Sequence, residues 1–391
     1  MRRVLAAVLF CVPLAAASAS ACQVYGEDLL VPEVPFGGGI GFWSGRGDQG
    51  CYSAGVPREA ERPNDNDASE LPPFYLVLRT IRLGERDING IPDPEAWKDL
   101  GFDLDGVCTN SATCQTGVVK PSCKPVGATV PYDGNHCRDN TFGRLAYEAA
   151  RVPEVSGRYL DPNALDCAFC TGRYGFLVRI AHYNGKLNDA HVRVDYIPSP
   201  GLEAPLPWSC KDTSWKQRPC ASADLPWALQ EDALESRGAS PTGKLHVDDA
   251  YVARGYLVSR LPGGTVFQFP RRTGSDVATP FPLKLDDGIF AGKLARERDG
   301  SWALTDGMLA GRASAEGIFR GFRITGLCEG NPNYKLVQAF VNNNVDVRAD
   351  GVVDPQRPCD AISVGVGFTA AQARVGRVEP VVAPVECQPA P

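Results

Sequence analysis

Residues 281–324 read FPLKLDDGIFAGKLARERDGSWALTDGMLAGRASAEGIFRGFRI. Apolar side chains recur at short intervals. Three Asp-Gly pairs, Asp287-Gly288, Asp299-Gly300 and Asp306-Gly307, interrupt them. Asp-Gly is a strong signal for a turn between strands. The stretch predicts five strands, at 281–285, 289–296, 302–305, 308–313 and 318–324. Working outward, 251–261 and 265–269 read as strands on the N-terminal side and 361–369 on the C-terminal side. Further back, 74–83 is another, and 176–183 and 191–197 form a hairpin at Asn184-Gly185. Helices are few: a turn at 93–100, then 140–151, 224–236, and one starting at Asn331-Pro332 with Leu336, Val337, Phe340 and Val341 on one face. Many short strands with turn signals between them predict a mainly β fold, an antiparallel β-sandwich of jelly-roll type with a few short helices.

Composition agrees. Of 391 residues, 41 are glycine, 32 proline and 14 cysteine, and 43% are hydrophobic. The apolar share supports a packed core. The Gly, Pro and Cys excess argues against a helical bundle, a coiled coil or a reduced cytosolic enzyme, and for an exported, disulfide-stapled protein.

Residues 1–21 read as an export signal: Arg2 and Arg3, an apolar stretch from Val4 to Ala17, and Ala19-Ser20-Ala21 before Cys22. Two fates fit: cleavage with free secretion, or lipidation of Cys22 as in bacterial lipoproteins. Cys11 leaves with the signal. Setting Cys22 aside leaves 12 cysteines, an even number, which favours Cys22 as a lipid anchor. The expected location is the cell envelope, as an outer-membrane lipoprotein, or else the periplasm or medium. The mature chain keeps 38 basic and 46 acidic residues, a formal charge of −8, which disfavours nucleic acid as a partner. The expected organisation is a tether over 22–73 and a β-rich domain over 74–376, with a tail over 377–391. The domain divides into stretches 74–200 and 241–376 around a Trp/Cys-rich segment.

The most informative motif is a split acidic loop. Asp103-Leu104-Asp105-Gly106 resumes, after an insert, as Asp139-Asn140-Thr141-Phe142-Gly143. Alternating carboxylates beside a glycine turn are the kind of donor set calcium uses. A Cys108–Cys137 bridge would close the insert at its base, because bridged Cα atoms lie about 5.5 Å apart. Cys114–Cys123 would then staple the insert internally. Two readings stay open. Asp103, Asp105, Asp139 and Asn140 bind calcium, or they make Asx turns and a helix cap without an ion. Four visible ligands fall short of the six to eight that calcium takes. A second acidic set, Asp346, Asp350 and Asp354 with Gly351, has poorer spacing.

The Asp-Leu-Asp-Gly … Asp-Asn-x-Phe-Gly-x-Leu pattern resembles uncharacterised secreted proteins and lipoproteins of myxobacteria. Tyr183-Asn184-Gly185 with Asp189, and Pro358-Cys359-Asp360-Ala361-Ile362-Ser363 before a Gly-rich strand to Phe368, extend the resemblance over roughly 42–376. The resemblance implies an envelope or secreted location and no particular chemistry.

Spacing also pairs Cys210 with Cys220 across a nine-residue loop, and Cys328 with Cys359 across the helix after Asn331. Cys167-Ala168-Phe169-Cys170 has redox spacing without a βαβ setting, so bridging is the better reading. Trp208, Trp215 and Trp227 crowd one Pro/Cys-rich segment. They are either a binding platform for sugar rings or a protein, or a plug for the core. The chain carries no H-E-x-x-H, G-x-S-x-G or P-loop pattern. The leading functional expectation is a non-catalytic envelope or secreted protein that binds a glycan or a protein partner, with a structural calcium ion. The alternative is a secreted polysaccharide hydrolase working through two carboxylates among residues such as Glu148, Glu154, Glu231 and Glu235.

Overall fold

The computed structural model describes residues 52–380, apart from 65–68, 88, 112–120, 128–130, 151–161, 211–213, 269–281 and 325, together with 45, 46 and Cys387. The expected signal, Cys22, most of the tether, and Cys114 lie outside the described residues.

Eight of the ten described strands of the main sheet follow one another in the pairing: β1 (Phe74–Arg82), β2 (Gly175–Ala181), β3 (Asp189–Ser199), β4 (Leu245–Ala253), β5 (Tyr256–Arg260), β6 (Leu283–Arg296), β7 (Trp302–Ser314) and β8 (Ala361–Glu379). Each pairs antiparallel with the next along the chain. β8 then pairs with β1. The result is a closed up-and-down barrel, which corrects the sandwich expectation. The deciding contact is β5 with β6, which sets Tyr256 opposite Lys293 and Arg260 opposite Ile289. Closure removes the unpaired strand edges that an open sheet leaves. Alternating short strands look the same in both architectures, so periodicity alone does not separate them.

The opening stretch shows why some of its breaks are not turns. Positions 283–296 form one strand and 302–314 another. Asp287-Gly288 and Asp306-Gly307 sit at register shifts within them, with both aspartates at positive φ. They are β-bulges, which bend long strands around a barrel. Asp299-Gly300 alone is a turn, closed by Gly300 N–H donating to Glu297 O at 2.9 Å. Residues 318–324 are not a strand. They belong to a helix, because Ile318, Phe319 and Phe322 share one helical face against the core.

The barrel is filled by its own side chains. Phe176, Tyr196, Phe267, Phe290 and Phe368 meet inside, with Phe290 and Phe368 stacked at 4.7 Å between centroids. Such filling is normal for eight strands. The outer face is also covered. Leu100, Phe102 and Leu104 lie over Tyr251, Val258, Ile289 and Met308 on one side. Trp227, Leu229 and Leu202 lie over Tyr75, Val77, Leu177 and Ile197 on the other. Where the first cover crosses β8, a Cβ on Gly365 would come within 2.6 Å of Gly101 Cα, so the two chains meet glycine against glycine.

Among the described residues, four α-helices lie in the long connections: α1 (Thr141–Ala150), α2 (Pro162–Thr171), α3 (Ala315–Ile324) and α4 (Pro332–Asn343). α1 and α4 stand where the sequence placed them. Asn331 caps α4 by accepting from Asn333 N–H. Its buried face carries Tyr334 and Val341, whereas Leu336 and Phe340 are exposed, so the expected face is turned. The helix expected at 224–236 is replaced by a strand, Pro226–Gln230, parallel to β8. Trp227 and Leu229 face the same core cluster two residues apart, a strand spacing. α2 has no counterpart among the expected elements.

Up-and-down order also sorts the loops. The short turns at 182–188, 254–255 and 297–301 share one barrel end. The long connections 83–174, 200–244, 261–282 and 315–360 share the other.

Five disulfides join described residues. Cys108–Cys137 forms as its spacing predicts, with Cα atoms 4.8 Å apart. The other expected pairings are corrected. Cys123 bonds Cys359, not Cys114, because the short strand Cys123–Lys124 runs beside Asp354–Pro358. Cys328 bonds Cys387 in the expected tail. Cys210 and Cys220 do not pair with each other. They reach Cys167 and Cys170, one turn apart on α2. Both cysteines of that C-x-x-C are therefore structural. Bridges on this scale belong with an oxidising compartment. Among the described residues, no helix is long and apolar enough to cross a membrane.

Candidate functional site

The halves of the split acidic loop meet through backbone pairing. Asp139 N–H donates to Phe102 O at 2.9 Å, and Asp103 N–H to Ala54 O at 2.8 Å. The Cys108–Cys137 bridge closes the insert just behind them. The Asp139 carboxylate accepts from the N–H groups of Leu104 (2.7 Å) and Asp105 (3.3 Å). Asp103 Oδ1 accepts from Gly106 N–H at 2.7 Å, and the Ser53 hydroxyl donates to its Oδ2. Asp105 Oδ1 accepts from Val107 N–H at 2.8 Å. One oxygen from each of Asp103, Asp105 and Asp139 lies within 4.8 Å of the others. Three of the four expected ligands are thus together.

Asn140, the fourth, is not. Its Oδ1 accepts from Gly143 N–H (3.0 Å) and Gly365 N–H (2.8 Å), and its Nδ2 donates to Trp97 O (3.1 Å). The side chain caps α1 and straps it to β8, so its oxygen is already committed. This is the cap reading, and it explains the Asp-Asn-x-Phe-Gly pattern. Gly143 is needed because a Cβ there would fall 2.5 Å from Asn140 Nδ2 and 2.9 Å from Trp97 Cβ.

Two further carboxylates bear on the cluster. Burial pushes Asp139 well above the usual carboxylate range, and the charges of Asp105, Asp133, Asp103 and Asp346 add to it. Asp133, whose carboxylate accepts from Thr109 N–H at 2.6 Å, is raised in the same way. The sequence signal for Asp133 is only an Asp-Gly turn. Asp346 belonged to the second acidic set, which the fold disperses. Asp350 is paired with Arg348 and Arg357, and Arg348 holds it down to about 2. Asp354 accepts from Gln356 N–H. Asp346 instead receives the N–H and hydroxyl of Ser363, whose Oγ also accepts from Thr141 N–H.

Burial raises Asp346 to about 6 despite those bonds. The folded state therefore holds its proton more tightly than the unfolded chain. The associated stability is present below the unfolded value near 3.8 and is lost as pH rises through about 6. The loss is about 3 kcal/mol. In chelator, Asp346→Asn is expected to exceed wild type in stability at pH 7.5 and to lose that advantage at pH 4. Urea melts at both values check this, and an equal difference at the two would sink it.

The three tryptophans do not form a platform. Trp227 is fully buried, Trp215 is buried against Cys167 and Cys170, and Trp208 packs half-buried beside it. They serve the outer layer and the disulfide knot. Of the carboxylates considered for hydrolysis, Glu154 lies outside the described residues, while Glu231 pairs with Arg237 and Glu235 with Arg193. No family model, curated protein or solved structure matches this chain.

Proposed function

We propose that this chain is an exported, non-catalytic binding protein of the cell envelope, anchored through Cys22 and related to the secreted myxobacterial proteins its motifs resemble. A rigid barrel presents surface loops to a glycan or protein partner. A calcium ion held by Asp103, Asp105 and Asp139 clamps the outer cover. The observation that carries the binding reading is the filled barrel: with aromatic side chains occupying its axis, recognition falls to the surface. Calcium is supported by three carboxylates converging in a buried loop with two more nearby, a field that a divalent cation would neutralise. Waters and backbone carbonyls would complete its shell.

The test is a thermal melt of the mature protein with EDTA and with calcium, followed by glycan-array and pull-down screens in both states. Calcium at one hundred times its Kd is expected to stabilise by about 2.7 kcal/mol, and so to raise Tm by about 4 °C. An unchanged Tm defeats the ion. Turnover of a polysaccharide in the screen defeats the non-catalytic reading.

A further inference from the structure

We propose that the short-turn end of the barrel carries a binding groove for an anionic saccharide. This rests on the surface-binding reading above and gives it a place and a ligand class. The groove has a volume of about 890 Å³ and opens to solvent. Its lining includes Asn64, Tyr183, Lys186, Asn188, Arg296 and Trp302. That volume suits a small ligand or a short stretch of polymer, and barrel mouths are recurrent binding places.

The floor is rigid. Trp302 stacks on Phe74 at 5.2 Å between centroids and meets Tyr183 edge-on at 5.5 Å. Tyr183 is held in turn by its hydroxyl, which donates to Lys186 O at 2.6 Å. On this floor rests an exposed cation. The Arg296 guanidinium lies 4.1 Å from the centroid of the Trp302 ring, and its Nη1 donates to Gly300 O at 2.6 Å. Stacking and hydrogen bonding orient the fork before any ligand arrives, which lowers the entropy cost of binding.

The charge of the lining selects the ligand. Lys186 and Arg296 are its ionised groups, and it holds no aspartate or glutamate among the described residues. Asp189, at the start of β3 beside the turn, accepts from the N–H groups of Asn184 and His191. In a chain of net charge −6 this is a local reversal of sign. A guanidinium fork and an ammonium recognise carboxylate or sulfate oxygens. The amides of Asn64 and Asn188 offer both donors and acceptors to hydroxyl groups. Anionic groups on a hydroxyl-rich frame describe a uronic-acid or sulfated saccharide.

The test is titration calorimetry of the mature protein in calcium with oligogalacturonate, a chondroitin sulfate oligomer and the neutral cellohexaose. The expected result is binding to at least one anionic oligomer that weakens with added salt. Arg296→Gln should reduce that affinity by about tenfold, and Arg296→Gln with Lys186→Gln by more, at unchanged Tm. Whichever anionic arm binds identifies carboxylate or sulfate as the recognised group. Anionic binding that the double variant leaves intact, or binding to cellohexaose alone, overturns the groove while glycan binding itself stands. Binding in none of the three arms overturns the groove, and a negative glycan array would then remove the glycan reading as well.

Discussion

Replacing Cys123 and Cys359 together by alanine is expected to lower stability by about 5 kcal/mol, the largest effect of any single bridge here. The two are 236 residues apart in sequence, and cross-linking so distant a pair restricts the unfolded chain most. The other bridges span 29 to 59 residues and correspond to about 3.5–4 kcal/mol each on the same chain-entropy argument. The bond also has a local role. It ties the only described strand of the insert to the segment leading into β8, where Cys359 N–H donates to Lys124 O at 3.0 Å and Asp354 N–H to Ser122 O at 2.8 Å. Loss of the bond should loosen that parallel pair first. Denaturant unfolding of the double variant, compared with Cys108→Ala/Cys137→Ala, checks the ranking. Equal losses would show that the other cross-links already shorten the effective loop.

Trp227→Ala is expected to cost about 4 kcal/mol and to lower Tm by about 6 °C. Trp227 is completely buried between the barrel and the strand it belongs to. Its ring lies against Gly175, where an added Cβ would come 2.7 Å from Cζ3, so the site has no room to collapse onto and a cavity would remain. Arg79 adds to the effect. Its guanidinium sits 5.9 Å from the Trp227 ring, and burial has already brought it down to about 10. Removing the ring takes away a cation–π partner in a poorly hydrated place. A binding-platform tryptophan would instead lose ligand affinity and leave Tm unchanged, so one variant separates the two readings of this residue.

That contrast shows what a run of residues can and cannot disclose. Three tryptophans within 20 positions are visible at once, but whether they face solvent depends on what covers them. Here β8 extends past its barrel partners and offers Arg374–Glu379 as a template for Pro226–Gln230. Likewise Asp287-Gly288 and Asp306-Gly307 have the chemistry of turns and become bulges, since only the pairing of β6 with β7 decides whether the chain reverses there.

The acidic loop was more legible. Cysteines at its two breaks announced a closure that local spacing could carry, and the Cys108–Cys137 bond and the meeting of Asp103, Asp105 and Asp139 follow from it. Asn140 was ambiguous because capping and ligation ask for the same side-chain oxygen. The choice fell to Gly365, 225 residues away, whose N–H occupies it. Asp133 showed only an Asp-Gly turn, and Asp346 stood out only with Asp350 and Asp354, from which the fold separates it.

By itself, then, the sequence determined strand-rich structure, most strand positions and the one described disulfide whose partners bracket an insert. All of these depend on neighbours in the chain: side-chain alternation, turn chemistry, and cysteines set close to the two breaks of one loop. The tertiary structure alone decided barrel rather than sandwich, the four long-range bridges among the described residues, the burial of Trp215 and Trp227 and the cations gathered at the barrel mouth. Each is a meeting of segments far apart in the chain, set by closure of the sheet, and no local pattern encodes which strand lies next to which.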